Sequence, residues 1–140
     1  MLLRFSKSPK KRRKNISLDW LPSKDIDERL DFLVNNCNLT YIKRHRVYSY
    51  RSTGAHTRAY ARIWGLGRIF QQALEIEPAY VIEVISEKFD RLSGEQKDLV
   101  LIHELLHIPK TFSGALVPHK HKGGVNDRVV REVYNNMKRN

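Results

Sequence analysis

The 140-residue chain carries 26 Lys and Arg against 15 Asp and Glu, a formal net charge of +11, and 41% of it is hydrophobic. That suffices for one compact domain and not for two, and the single cysteine, Cys37, excludes a disulfide framework and any Cys-rich zinc finger. The longest strongly apolar stretch, Leu99–Ile108, is broken by His103, Glu104 and His107 and is too short to span a bilayer, while Arg4 and a basic run directly behind Met1–Leu2–Leu3 do not fit a secretory leader, so the expectation is a cytoplasmic protein with no membrane partner.

Six of the eight residues from Lys7 to Lys14 are cations: Lys7, Lys10, Lys11, Arg12, Arg13 and Lys14. Like charges repel and cannot pack, so residues 1–15 read as a disordered basic tail and residues 16–140 as a single domain. Two readings of the tail stay open. One is an arm whose Lys10, Lys11, Arg12, Arg13 and Lys14 contact DNA or RNA phosphates by counterion release; the other is a solvated solubility tail.

Leu18–Pro22 reads as an irregular lead-in. Ser23 is then a helix cap with Asp25, Asp27 and Glu28 behind it, and Ile26, Leu30, Leu33, Val34 and Cys37 recur at helical spacing, which predicts a helix over about 24–36. Cys37 falls on its apolar face, a packing position. Val47, Tyr48 and Tyr50 give a strand signal, Ser52–Thr53–Gly54 a turn, and Thr57–Trp64 a half-solvated strand. A short helix over Arg68–Leu74 and a buried strand over Ala79–Ile85 follow. Ser93 and Gln96 form a capping-box pattern that opens a helix running to Ile108 and stopping at Pro109. Residues 110–123 form a loop, and a last helix over about 125–138 carries Val125, Val129, Val133 and Met137 on one face. The pattern as a whole predicts an α+β domain in which a small sheet packs on helices.

The chemistry sits in the helix before Pro109. His103 and His107 are four residues apart, so on a helix both imidazoles leave the same face one turn apart and can meet one ion. Glu104 projects beside that ion rather than onto it, which suits a general base acting on a metal-bound water. Most neighbours are Leu, Ile or Val, and two imidazoles and a carboxylate are costly in such surroundings unless they are coordinated or paired. The competing account is two core histidines held by ordinary hydrogen bonds, with Glu104 paired to a cation. A catalytic zinc takes three protein ligands. The extended HExxHxxGxxH pattern fails, because Lys110 stands at its glycine and Ser113 at its last histidine. The remaining candidates rank as His119, then His121, then Glu132. His121 also has a role as a cleft imidazolium opposite a developing oxyanion, or simply as an exposed loop residue.

HELLHIPKTFSGALVPHKH resembles the small archaeal and phage metallopeptidases, relatives of the SprT-like zincins, and the similarity extends upstream through RAYARIWGLGRIF and YVIEVISEKFDRLS. It covers roughly residues 47–125. The resemblance implies a minimal zincin-like core with a small β-sheet on the active-site helix and N- and C-terminal helices, with zinc on His103, His107 and His119 and Glu104 as catalytic acid/base. SprT-like proteins are associated with DNA and with proteolysis of crosslinked proteins, but this chain has no Cys-rich zinc ribbon.

The expected function is zinc-dependent hydrolysis of peptide bonds in a protein or peptide substrate, DNA-associated proteins included. Strand 79–85 is the expected rail for an extended substrate by edge pairing. Two rival classes remain. One is a nucleic-acid-binding protein with a structural zinc site, using the tail and the interleaved cations and aromatics of Tyr41–Arg51. The other is a metal-dependent hydrolase acting on a different bond. Trp20 and Trp64 are expected to pack in the core.

Overall fold

The computed structural model describes residues 17–120 and 122–140. The basic tail assigned to residues 1–15 and the alternative ligand His121 lie outside the described residues. Four strands, β1 (Asp19–Pro22), β2 (Val47–Thr53), β3 (Ala61–Gly65) and β4 (Tyr80–Ile85), form one mixed sheet in the order β1-β2-β4-β3. β2 and β4 run parallel, and the other neighbours are antiparallel. Five helices accompany them among the described residues: α1 (Lys24–Asn36), α2 (Arg68–Leu74), α3 (Ser86–Phe89), α4 (Gly94–Leu106) and α5 (Asp127–Arg139). The fold is α+β, as the sequence pattern predicts. None of these helices is long and apolar enough to cross a membrane.

The core lies between one face of the sheet and the helices. Val47, Tyr80, Ile82 and Val84 meet Leu30 and Leu33 of α1 and Leu101, Ile102 and Leu105 of α4 in one apolar cluster. β4 is central, and five of its six residues are buried. One of them is Glu83, on the face away from the helices. Its carboxylate accepts hydrogen bonds from Arg62 Nε at 2.9 Å, Arg62 Nη2 at 3.1 Å and Trp64 Nε1 at 2.9 Å. Burial pushes that carboxyl up, but these donors, with Ser52, bring it below the usual range, so it stays charged.

The capping box forms as predicted. The Ser93 hydroxyl accepts from the Gln96 N–H at 3.2 Å, and the Gln96 side chain accepts from the Ser93 N–H at 3.0 Å. α4 closes at Leu106, just short of the predicted Ile108. Asp98 of α4 is buried and accepts from Arg29 of α1, with Nε at 2.7 Å, which ties the two helices across the core. Ser23 holds the cap position of α1, but its hydroxyl donates to Asp25 instead of accepting from the helix backbone. Cys37 packs against Met137, with its sulfur 3.7 Å from Sδ, and burial lifts its thiol to about 11.

Several expectations need correction. Leu18–Pro22 is not irregular, because Asp19–Pro22 pairs with Thr53–Tyr50 as an edge strand and so draws Ser52 and Thr53 into β2. The turn is left to Gly54, at φ 79°. The strand expected from Thr57 starts only at Ala61, where β4 offers partners. α3 was not foreseen; it turns the chain after β4 and buries Phe89. On α5 the buried pair is Val130 and Tyr134, because the helix begins after the Asn126 cap and leaves Val125 buried ahead of it. Trp20 and Trp64 are about half exposed, on the face of the sheet opposite the core. Strand 79–85 has neighbours on both sides and no free edge for a substrate; β3 is the edge strand next to it. In Tyr41–Arg51, Arg44 is committed to Asp27 and Asp31, and Arg51 to Asp25 and Asp90, so two of the interleaved cations serve the fold.

Candidate metal centre

The last turns of α4 present His103 and His107 on one face, as their spacing dictates. After Pro109 the chain folds back, helped by Phe112 at φ 48° and Gly114 at φ 92°. The Val117 N–H then donates to the His107 carbonyl at 2.7 Å, and two residues later His119 arrives over the helical pair. The three Nε2 atoms form a near-equilateral triangle: 3.0 Å between His103 and His119, 3.1 Å between His107 and His119, and 3.2 Å between His103 and His107. Three nitrogens held 2.0–2.1 Å from one tetrahedral ion lie about 3.3 Å apart. Glu132, exposed on α5, does not join this group.

The proton inventory also favours a cation. His107 Nδ1 faces the carbonyl oxygen of Val117, which can only accept, so Nδ1 carries the proton. Burial lowers the pKa of His107, opposed by the Val117 hydrogen bond and helped by His119, which favours the neutral imidazole with its lone pair at Nε2. Burial likewise lowers His103, helped by His107 and His119 and opposed by Asp127. The lone pair of His107 Nε2 and the Nε2 atoms of His103 and His119 converge at about 3 Å, an arrangement that one cation among them would satisfy. The Val117 carbonyl behind His107 is the kind of outer partner that fixes a ligating imidazole's tautomer and orientation. The donor set and its surroundings therefore fit a divalent ion of the zinc type.

Glu104 is 8% exposed, and burial lifts its carboxyl to about 8. No hydrogen bond to its side chain is found among the described residues. Two cavities flank it, of about 490 and 470 Å³, and both are lined by Ala61, His103 and Glu104. The first continues past Leu99 and Val100 to Asp127 and Arg131 of α5. The second is walled by Ile63 and by Leu116–Pro118 of the returning loop. Together they make a trough past Ala61 with His103 and Glu104 shared by its halves, while His107 and His119 line only the second. Asp127 was not singled out from the sequence, because it lies in no motif and only the tertiary fold brings it to α4.

A sequence profile of the family described as "Putative phage metallopeptidase" matches residues 18–137, nearly all of the described chain. The chain belongs to this family. Family membership carries metallopeptidase character, with a metal ion and a protein substrate, and the matched span includes α4, the returning loop and all three histidines. No curated protein and no solved structure matches the chain.

Proposed function

We propose that the protein is a zinc-dependent peptidase in which His103, His107 and His119 hold the ion and Glu104 is the catalytic acid/base. The observation that carries this reading is the convergence of three imidazole Nε2 atoms within 3.2 Å of one another beside Glu104, a buried residue whose carboxyl has no hydrogen-bond partner among the described residues. Zinc bound there supplies an acidified water and a polarised carbonyl at neutral pH. Glu104 takes one proton from the attacking water as its oxygen bonds to the carbonyl carbon. It returns that proton to the amide nitrogen as the C–N bond breaks, leaving a carboxylate and an amine.

The substrate runs along β3, the sheet edge that lines both halves of the trough through Ala61. An extended segment can add there as a further strand, its side chains entering the two cavities. A trough that extends on both sides of His103 and Glu104 suits an internal peptide bond. On the HELLHIPKTFSG resemblance we place the chain beside the SprT-like zincins and read residues 16–140 as one cytoplasmic peptidase domain. DNA-associated proteins are among its substrates in this reading, and Lys10–Lys14 contact nucleic-acid phosphates.

Elemental analysis of protein purified without an affinity tag tests the centre. About one zinc per chain is expected in the wild type and in Glu104→Gln, with loss in His119→Ala. Glu104→Gln is also expected to lose at least 100-fold in hydrolysis of a casein or peptide panel. No zinc in the wild type, even after zinc is added, would remove the enzyme reading. Zinc retained with no effect of Glu104→Gln and salt-dependent DNA binding would favour the nucleic-acid-binding alternative.

A further inference from the structure

We infer that Tyr80 of β4 and Gln71 of α2 are positioning residues for the third histidine: they hold the loop after α4 so that His119 meets the helical pair. The proposal rests on the histidine centre above and adds to it two residues outside the HExxH helix and its returning loop.

Tyr80 is 1% exposed, and its hydroxyl uses both of its capacities on consecutive loop residues. It accepts from the Gly114 N–H at 2.8 Å and donates to the Ala115 carbonyl at 2.8 Å. Phe112 packs edge-on against the same ring, with centroids 5.0 Å apart. From the other side, the Gln71 amide donates to the Ser113 carbonyl at 2.9 Å and to the Leu66 carbonyl at 2.8 Å, bridging the loop to the end of β3. α2 buries none of its own residues, so Gln71 is there for this bridge rather than for core packing.

The backbones themselves touch at this point. A Cβ added at Gly65 would lie 2.1 Å from the Gly114 oxygen, and one added at Gly114 would lie 2.3 Å from the Leu66 oxygen. The loop is thus pinned at Ser113–Ala115, and pinned again where Val117 exchanges hydrogen bonds with His107. His119 follows two residues later and is itself exposed. Its place over His103 and His107 is set by what holds the chain before it. Without the first pin, Gly114 and its neighbours recover backbone freedom, and the third ligand must be ordered at the moment of metal binding.

The test compares Tyr80→Phe, which keeps the ring and removes the hydroxyl, with Gln71→Ala, a change on an exposed helix. Zinc affinity is measured by chelator competition, and hydrogen exchange of the Gly114 and Val117 amides is measured in the metal-free protein. Each variant is expected to bind zinc about 10–100-fold more weakly than wild type, the usual cost of losing an outer partner. Both amides are expected to exchange faster while α4 amides keep their protection. A cobalt-loaded sample should show a weaker tetrahedral absorption band. Wild-type affinity and wild-type exchange in a folded variant would overturn the proposal. If Tyr80→Phe does not fold, Gln71→Ala decides by the same readings. If the wild type binds no metal, the peptidase reading fails, and the exchange data alone then decide whether these residues hold the loop.

Discussion

Glu104 shows how one buried residue couples the centre to pH. In the metal-free protein burial pushes its carboxyl up to about 8 from the ordinary glutamate value of 4.5. Between those values the folded chain holds a proton that the unfolded chain has lost, so stability falls as pH rises through that window. Glu104→Gln removes the linkage. Relative to that variant, metal-free wild type is expected to lose roughly a few kcal/mol of unfolding free energy between pH 5 and pH 9. Urea denaturation at several pH values reads this directly, and parallel curves for the two proteins would show that the carboxyl is not held in an apolar site. The residues behind this behaviour were legible in the sequence to different degrees. His103, Glu104 and His107 follow from helical spacing alone. His119 needed a guess about where a loop returns. The sequence showed Tyr80 only as part of a buried strand and Gln71 only as part of a short helix, and their role is visible only once the fold sets them against Gly114 and Ser113.

At the scale of elements, α1 and α4 are joined by more than apolar packing. Asp98 is buried in α4, and Arg29 is its cation, with the arginine side chain still partly in solvent. Arg29→Met leaves the carboxylate without its partner, and a loss of about 2–4 kcal/mol is expected, somewhat below a fully buried pair because Arg29 is partly exposed. Adding Asp98→Leu should return most of that loss, since an apolar pair of similar volume has no charge to desolvate. Chemical denaturation of the single and double variants checks both; an uncorrected double variant would mean that the pair contributes net stability. This contact joins residues 69 apart and leaves no trace in local pattern. Elements that local pattern governs were readable: α1 from its apolar stripe, α2 as a short run over Arg68–Leu74, and α4 from the Ser93–Gln96 box. β1 was not, because four exposed residues show no alternation and become a strand only through the backbone of β2. The same dependence on pairing explains why β3 starts at Ala61 and why the free edge lies there rather than at β4.

For the whole molecule, the decisive question is how much of the fold depends on metal. An apolar cluster joins the sheet to α1, α4 and α5, and of the three histidines only His107 is buried. The returning loop is held by Tyr80, Gln71 and the His107–Val117 hydrogen bonds, all of which are made by protein groups. A structural zinc domain behaves differently, since its ligands replace a core and it unfolds without metal. Here the metal-free protein is expected to keep its far-UV circular dichroism and a cooperative thermal transition. Zinc at about 1,000 times its Kd then adds about 4 kcal/mol to the native state. For a domain of this length that corresponds to a rise in Tm of about 10–20 °C. His119→Ala should abolish most of the rise while leaving the metal-free Tm nearly unchanged, because His119 is exposed and contributes little packing of its own. Calorimetry with and without a chelator reads all three quantities. A metal-free protein that is already unfolded would make the site a structural one, and a zinc-induced rise that survives His119→Ala would move the third ligand elsewhere. A folded metal-free protein that gains stability only through His103, His107 and His119 is what a preformed catalytic centre requires.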